Sequence, residues 1–285
     1  MSPETFGLLT AFAFACGHTL ARAAMRYSDP RTTAFLNALG QAVVVWTLAL
    51  ILYPVAGLWS KGMLFFALDG LMVPATGRWL LFYGMVRVGM SRASSISGIA
   101  PFFTFAVAVL FLGERFTMVI AGATAAIVFG VYFASKRKEK TDFHIKYVVF
   151  PLAAAIVYGL SPNVRKLGLE LINYPMLGAA VSVSVSVLMM LIIISFSGGL
   201  KSLELNRRGI FFQLLSGVAH AFAILFYVYG LNAGKVVVVT PLANSTPLFS
   251  LPLALLFFRA KEGITLNTII GTLLIVAGVF TLFAR

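Results

Sequence analysis

Acidic residues are scarce in this sequence. Nine Asp and Glu stand against 22 Lys and Arg in 285 residues, and only Asp69 lies well inside an apolar stretch. Acid–base hydrolysis needs paired carboxylates, and metal chemistry needs His, Asp or Glu at ligand spacing. The two histidines within apolar stretches, His18 and His220, fall on distant ones. HExxH, GxSxG and the Walker loop are all missing, so a membrane enzyme or an ATP-driven pump has no footing, and no metal or cofactor is expected. Cysteine is nearly absent too: Cys16 stands alone, which excludes an intrachain disulfide. Charged residues make up only 11% of the chain, against about a quarter in soluble proteins.

What the chain has in abundance is apolar length, 60% hydrophobic residues arranged in runs. A hydrocarbon layer about 30 Å thick is crossed by roughly 20 apolar residues of helix. Reading from polar break to polar break predicts ten spans, near 3–25, 32–53, 62–86, 92–112, 117–135, 147–169, 174–198, 209–232, 236–258 and 265–284. No soluble domain is left over, so the fold class is an all-α, polytopic membrane protein. The first run is span-length and preceded by Glu4 instead of Lys or Arg, which argues against a secretory signal peptide. Asn244-Ser245-Thr246 matches a glycosylation acceptor but sits inside the ninth span, out of a transferase's reach.

A net charge of +13 would suggest nucleic acid in a soluble protein. Here the basic residues are read as loop markers, which favour the cytoplasmic face, and no nucleic-acid partner is expected. One face receives fifteen Lys and Arg, five of them within 136–146. The face carrying both termini receives six: Lys61, Arg115, Arg165, Lys166, Lys235 and Arg285. That tally places loop 136–146 in the cytoplasm and both termini outside a cytoplasmic membrane. Arg78 alone is assigned to the inside of a span.

The chain also repeats itself. Tyr83-Gly84 and Tyr229-Gly230 are 146 residues apart, as are Pro101 and Pro247, while Gly130-Val131 and Gly278-Val279 are 148 apart and Cys16-Gly17 and Tyr158-Gly159 are 142 apart. Residues 1–140 and 145–285 therefore read as two copies of one five-span unit. Five is odd, so the second copy enters the membrane inverted. Such repeats place a binding site near the midplane, where the copies meet and rock to give alternating access.

These features resemble the EamA family of the drug/metabolite transporter superfamily over essentially the whole chain. The resemblance is strongest at Pro101, the run Val109-Leu110-Phe111-Leu112-Gly113-Glu114-Arg115, and Gly122 and Gly130 beyond it. Tyr158-Gly159, with Lys166 seven residues past the glycine, matches the family's repeat opening. Cys16 replaces the aromatic in the first copy, and Phe258-Arg259-Ala260-Lys261-Glu262 departs from the Gly-Glu corner in the second. The resemblance implies a secondary transporter, and many family members export amino acids or related metabolites. It also implies cytoplasmic termini, against the charge tally. The expected partners are a small-molecule substrate and the lipid bilayer, and a monomer suffices because both repeats are in one chain. Sugar-phosphate, nucleotide or multidrug transport is the alternative within the superfamily; a scaffold would leave the repeat-equivalent polar prolyl segments unexplained.

Polar groups inside spans are costly and point by default to a cavity or a partner helix. Arg78, deep in the third span, is the expected anion clamp; its equivalent 146 residues on is Ile224, and a substrate with one charged end needs one clamp. His18, Asp69 and His220 are the candidate proton carriers, the histidines because they titrate near neutral pH. His18 shares a helix face with Arg22, four residues on. Asp69, nine residues before Arg78, is half a turn out of phase with it and must find a partner elsewhere. Ser97, Gly98 and Pro101 in the fourth span mirror Pro241, Asn244, Ser245 and Pro247 in the ninth, and are expected to form gates and cavity lining. Tyr158, Pro162 and Asn163 mirror the region around His18. Trp79, Tyr83 and Tyr227 add aromatic surface. Gly122, Ala126 and Gly130 look like a packing seam. Together these residues suggest a carboxylate-bearing substrate, with amino acids, aromatic or hydrophobic ones among them, in front.

Overall fold

The computed structural model describes residues 1–54, 58–88, 93, 96–115, 117–135, 144–196, 199–258 and 266–284. Within these, the backbone alone is described at 74–75, 78–79, 82, 85–86, 134–135, 251, 254–255, 257–258 and 268.

Helices account for every regular element among the described residues except short 3-10 and π turns, and no strand occurs among them. The first two spans are α1 (Pro3–Ala24) and α2 (Pro30–Leu52). The third is α3 (Gly62–Leu71), a π-helical segment Met72–Gly77, and α4 (Arg78–Val88). The fourth is described chiefly by α5 (Ala100–Phe111), and the fifth is α6 (Met118–Ser135). A 3-10 turn, Ile145–Val148, leads into α7 (Val149–Glu170), followed by α8 (Pro175–Phe196) and α9 (Arg207–Ala233). The ninth span is broken into α10 (Val236–Ala243) and α11 (Thr246–Phe258), and α12 (Leu266–Phe283) is the tenth. Each of the ten predicted spans thus has a helix or a broken helix in its place.

Sequence punctuation sets these boundaries. Ser2 and Asp29 accept the N–H of Thr5 and Thr32, and a proline opens both α1 and α2. Such caps satisfy helix donors that have no partner of their own, and proline at the first position needs none. The π segment contains Pro74, which has no N–H to return to the carbonyl four residues back, so the ladder re-registers there. Gly98–Ile99 is a turn, and so is Asn244–Ser245, again 146 residues on. Pro101 and Pro247 then stand within the first two positions of α5 and α11, where the fixed φ is tolerated.

Packing pairs one copy with the other. α1 lies against α9, α10 and α11, while α7 lies against α3, α4 and α5, the equivalent elements of the other half. The fifth and tenth spans, α6 and α12, close the arrangement. A side chain at Gly130 would run into the Gly271 carbonyl and Ile275; one at Gly278 would run into the Ala123 carbonyl and Ile127. These repeat-equivalent glycines let the two backbones touch. Gly122, expected in the same seam, faces open space instead. Leu64, Leu110, Phe111, Leu256 and Phe280 are exposed on the outer surface, as a lipid-facing surface requires.

Candidate functional site

A cavity of about 470 Å³ lies between the two copies, and each of the first nine spans contributes to its wall. Pockets of some hundreds of cubic ångströms that gather a few polar groups hold small molecules. Two features of the chain make room for it: the breaks at Gly98–Ile99 and Asn244–Ser245, and the small residues facing inward beside them.

At one end of the wall, Asp69 on α3 meets Arg165 on α7. Arg165 donates to Asp69 Oδ2 from Nη2 at 2.6 Å and from Nε at 3.2 Å. Ser182 on α8 donates to the same oxygen at 2.7 Å, and Ser161 on α7 donates to Oδ1 at 2.5 Å. The side chains are only 1% and 8% exposed. A charge withdrawn this far from water is tolerable only when paired and hydrogen-bonded, and here the carboxylate has four donors. The Arg165 guanidinium also lies over the Tyr227 ring, 5.1 Å from its centroid, and Tyr227 bonds the Thr240 hydroxyl at 2.9 Å. One connected wall thus runs from the first copy's third span through α7 and α9 to the prolyl segment of the ninth span.

Arg165 corrects the sequence reading, which counted it among loop charges on the face of the termini. It is buried in α7, so Arg78 is not the sole arginine inside a span, and the tally becomes fifteen against five. Its signal was present in the spacing: Tyr158, Ser161, Pro162 and Arg165 recur at helical intervals and share one face. All four line the cavity.

Across the cavity, His220 on α9 sits beside Asn37 and Ser216. Its Nδ1 is 2.9 Å from the Ser216 carbonyl and 3.2 Å from the Asn37 amide nitrogen. Asn37 donates to the Ser216 hydroxyl at 2.6 Å, which donates to the Gly17 carbonyl at 2.7 Å. His18 is edge-on to His220 at 5.0 Å between ring centroids, but it is exposed and does not line the cavity.

Among the other expected site residues, Asp69, Ser97, Gly98, Pro101, Tyr227, Pro241 and Asn244 line the cavity. Asn163 is buried behind it, donating to the carbonyls of Thr104 and Gly159. Ser245 is buried and donates to the Leu242 carbonyl. Pro247 also lies outside the lining. Tyr83 lies away from it, edge-on to Phe150 and hydrogen-bonded to Arg87. The side chains of Arg78 and Trp79 lie outside the described ones. Gln41, Ser161, Ser182 and Asn37 were not anticipated; single hydroxyls and amides in apolar runs carry little signal until their helices are placed.

A second polar assembly holds the turn between α9 and α10. Lys166 on α7 donates to the carbonyls of Leu231 and Gly234 at 2.7 and 3.0 Å. Glu114, following the left-handed Gly113 (φ 62°), accepts the N–H groups of Val236 and Val237 at 2.7 and 3.0 Å. A cation thus sits at the carbonyl end of one helix and an anion at the N–H end of the next, as the helix dipoles favour.

A helical bundle of two matched halves around a central cavity, apolar for the most part with a few polar groups, is the architecture of a membrane transporter with one site shared by its halves. The family model described as the EamA-like transporter family matches this chain twice, over residues 1–136 and 145–284, and the chain belongs to that family. It is also similar to a solved structure titled "Crystal structure of protein", with a TM-score of 0.79 at 14% identity, over 98% of this chain and 95% of that one. That likeness concerns the fold. No curated protein matches the sequence.

Proposed function

We propose that this chain is a secondary exporter of small carboxylate-bearing metabolites, amino acids foremost, working as a monomer by alternating access between residues 1–140 and 145–285. The observation that carries this is Arg165 in the cavity wall. Its guanidinium can hold a carboxylate through two parallel hydrogen bonds, and in a site shielded from water such bonds are roughly twice as strong as neutral ones. Elsewhere in the lining Ser97, Tyr158, His220 and Asn244 supply polar groups, and Phe14, Ile127 and Val131 supply apolar wall for a side chain. The matched breaks in the fourth and ninth spans support hinging there. Purified protein in liposomes, loaded in turn with radiolabelled amino acids, organic acids and sugar phosphates, tests it. Amino-acid efflux, faster than from empty-membrane controls, is expected; flux of sugar phosphates alone would overturn the substrate class.

We further propose that loop 136–146 faces the cytoplasm. With Cys16 replaced, a cysteine placed in that loop should resist an impermeant thiol reagent in intact cells. Ready labelling would put the termini inside instead.

A further inference from the structure

Asp69 and Arg165 belong to different copies of the repeat, and they form a salt bridge in the wall of the cavity. In the arrangement described, Arg165 is already occupied: Asp69 sits where a bound carboxylate would. We infer that Asp69 is a resident stand-in for the substrate, which the incoming carboxylate displaces from Arg165, and that the displaced Asp69 takes up a proton when the substrate brings no positive charge of its own. The inference rests on the proposal that Arg165 binds the substrate's carboxylate.

Charge balance drives the exchange. One guanidinium and one carboxylate are neutral together; a second carboxylate leaves a net negative charge in a wall shielded from water. A lone buried carboxylate is expensive, and the cheaper outcome is neutralisation. A simple acid therefore enters with a proton bound to Asp69, whereas an amino acid can offer its ammonium group to Asp69 and needs none. Ser161 and Ser182 suit both states, because a hydroxyl that donates to a carboxylate can turn and accept from the protonated acid.

Release of Asp69 also frees a tie between the copies. The same carboxylate joins α3 to α7 and α8, which move relative to one another if the two halves rock. Substrate binding and unlocking are then one event.

Among the described side chains, few other ionisable groups lie near Asp69. α7 brings Arg165 and Tyr158, α9 brings Tyr227 and, farther across the cavity, His220, and α8 contains no ionisable residue. Arg78, on Asp69's own span, has its side chain outside the described set. His220 is thus the rival proton acceptor, and the test separates it from Asp69.

The test uses purified full-length protein in weakly buffered detergent with a pH-indicator dye, and three probes of one shape: 3-phenylpropionate, L-phenylalanine and 2-phenylethylamine. Wild-type protein is expected to take up about one proton per 3-phenylpropionate bound, with affinity rising roughly tenfold per pH unit of acidification, as linkage requires of a one-proton uptake. L-Phenylalanine should bind with no uptake and the amine should not bind. Asp69→Asn should bind 3-phenylpropionate at least about tenfold more tightly at neutral pH, without uptake, because the competitor is gone. His220→Asn, whatever it does to affinity, should still take up about one proton per 3-phenylpropionate bound. Binding of 3-phenylpropionate to wild type without proton uptake overturns the inference and needs no variant to fold; so does uptake that persists in Asp69→Asn. If neither carboxylate probe binds, or Arg165→Gln binds them as wild type does, the proposal that Arg165 is the anion site fails and takes the inference with it.

Discussion

Glu114 caps a helix that belongs to the other copy: its carboxylate accepts the N–H of Val236 at 2.7 Å, with Val237 sharing the second oxygen. This gives the Gly-Glu corner a physical role. Gly113 turns the chain in the left-handed region so that Glu114 points back at the α10 N-terminus, where its charge meets two orphan donors. Glu114→Ala should lower stability by about 1–2 kcal/mol, the usual worth of a lost cap. Glu114→Gln, which keeps an acceptor, should cost less. Thermal unfolding in detergent reads both; a Glu114→Ala protein as stable as wild type would show that the cap contributes nothing.

The contact between the fifth and tenth spans separates two glycines that look alike in sequence. A methyl group at Gly130 would press on the Gly271 carbonyl, whereas one at Gly122 would meet nothing within 4 Å. Gly130→Ala is expected to destabilise by about 1–3 kcal/mol through overpacking. Gly122→Ala is expected to be neutral or to stabilise slightly, since alanine is the better helix former by about 1 kcal/mol. Melting curves of the two purified variants decide it, and a loss at Gly122 as large as that at Gly130 would contradict the seam.

At the connection between the first two spans, Asp29 accepts the N–H of Thr32 at 2.8 Å and its hydroxyl at 2.9 Å. Partial burial pushes its carboxyl up, but these bonds and nearby Arg31 outweigh that and leave it below the ordinary carboxylate value. A carboxyl lowered on folding stabilises above its unfolded value, about 3.9, and that share is lost as pH falls through the lower folded value. Wild-type protein should therefore lose stability on acidification below about pH 4 more steeply than Asp29→Asn, which keeps the cap without the charge. Parallel acid titrations of the two slopes would reverse the assignment.

The helices were legible because lipid demands long apolar runs and the loops between them are short and charged. The repeat was legible because glycines and prolines that set backbone geometry recur at a near-constant offset. The ion pair was not. Asp69 and Arg165 are 96 residues apart, and five residues before the end of α7 an arginine reads as a snorkelling loop charge. Its spacing from Tyr158, Ser161 and Pro162 marks a shared face, but only the neighbouring helices bring the Asp69 carboxylate and Ser182 to it. His18 shares a face of α1 with Phe14, which lines the cavity, and its ring is 5.0 Å from that of His220, but its own side chain is exposed and lies outside the lining.

Two arginines remain for the anion, and they predict different outcomes. Arg78 was expected from depth alone, and Arg165 is placed by the structure in the cavity wall, beside a carboxylate it can release. Arg165→Lys keeps a positive charge for Asp69 but loses the planar fork, so the protein should stay folded while carboxylate affinity falls by at least about tenfold, the loss of one charge-assisted bond. Arg165→Gln leaves Asp69 buried without its cation, which should cost about 3–5 kcal/mol of stability. The double variant Asp69→Asn with Arg165→Gln removes both charges and should recover much of that loss, yet still fail to bind carboxylates. Recovery of stability without recovery of binding is the signature of an anion site, because a purely structural pair would restore both together. Arg78→Ala is the comparison. If it abolishes binding of the same probes in a monodisperse protein while Arg165→Lys leaves affinity intact, the clamp is Arg78, and the Asp69–Arg165 pair serves only to join the two copies.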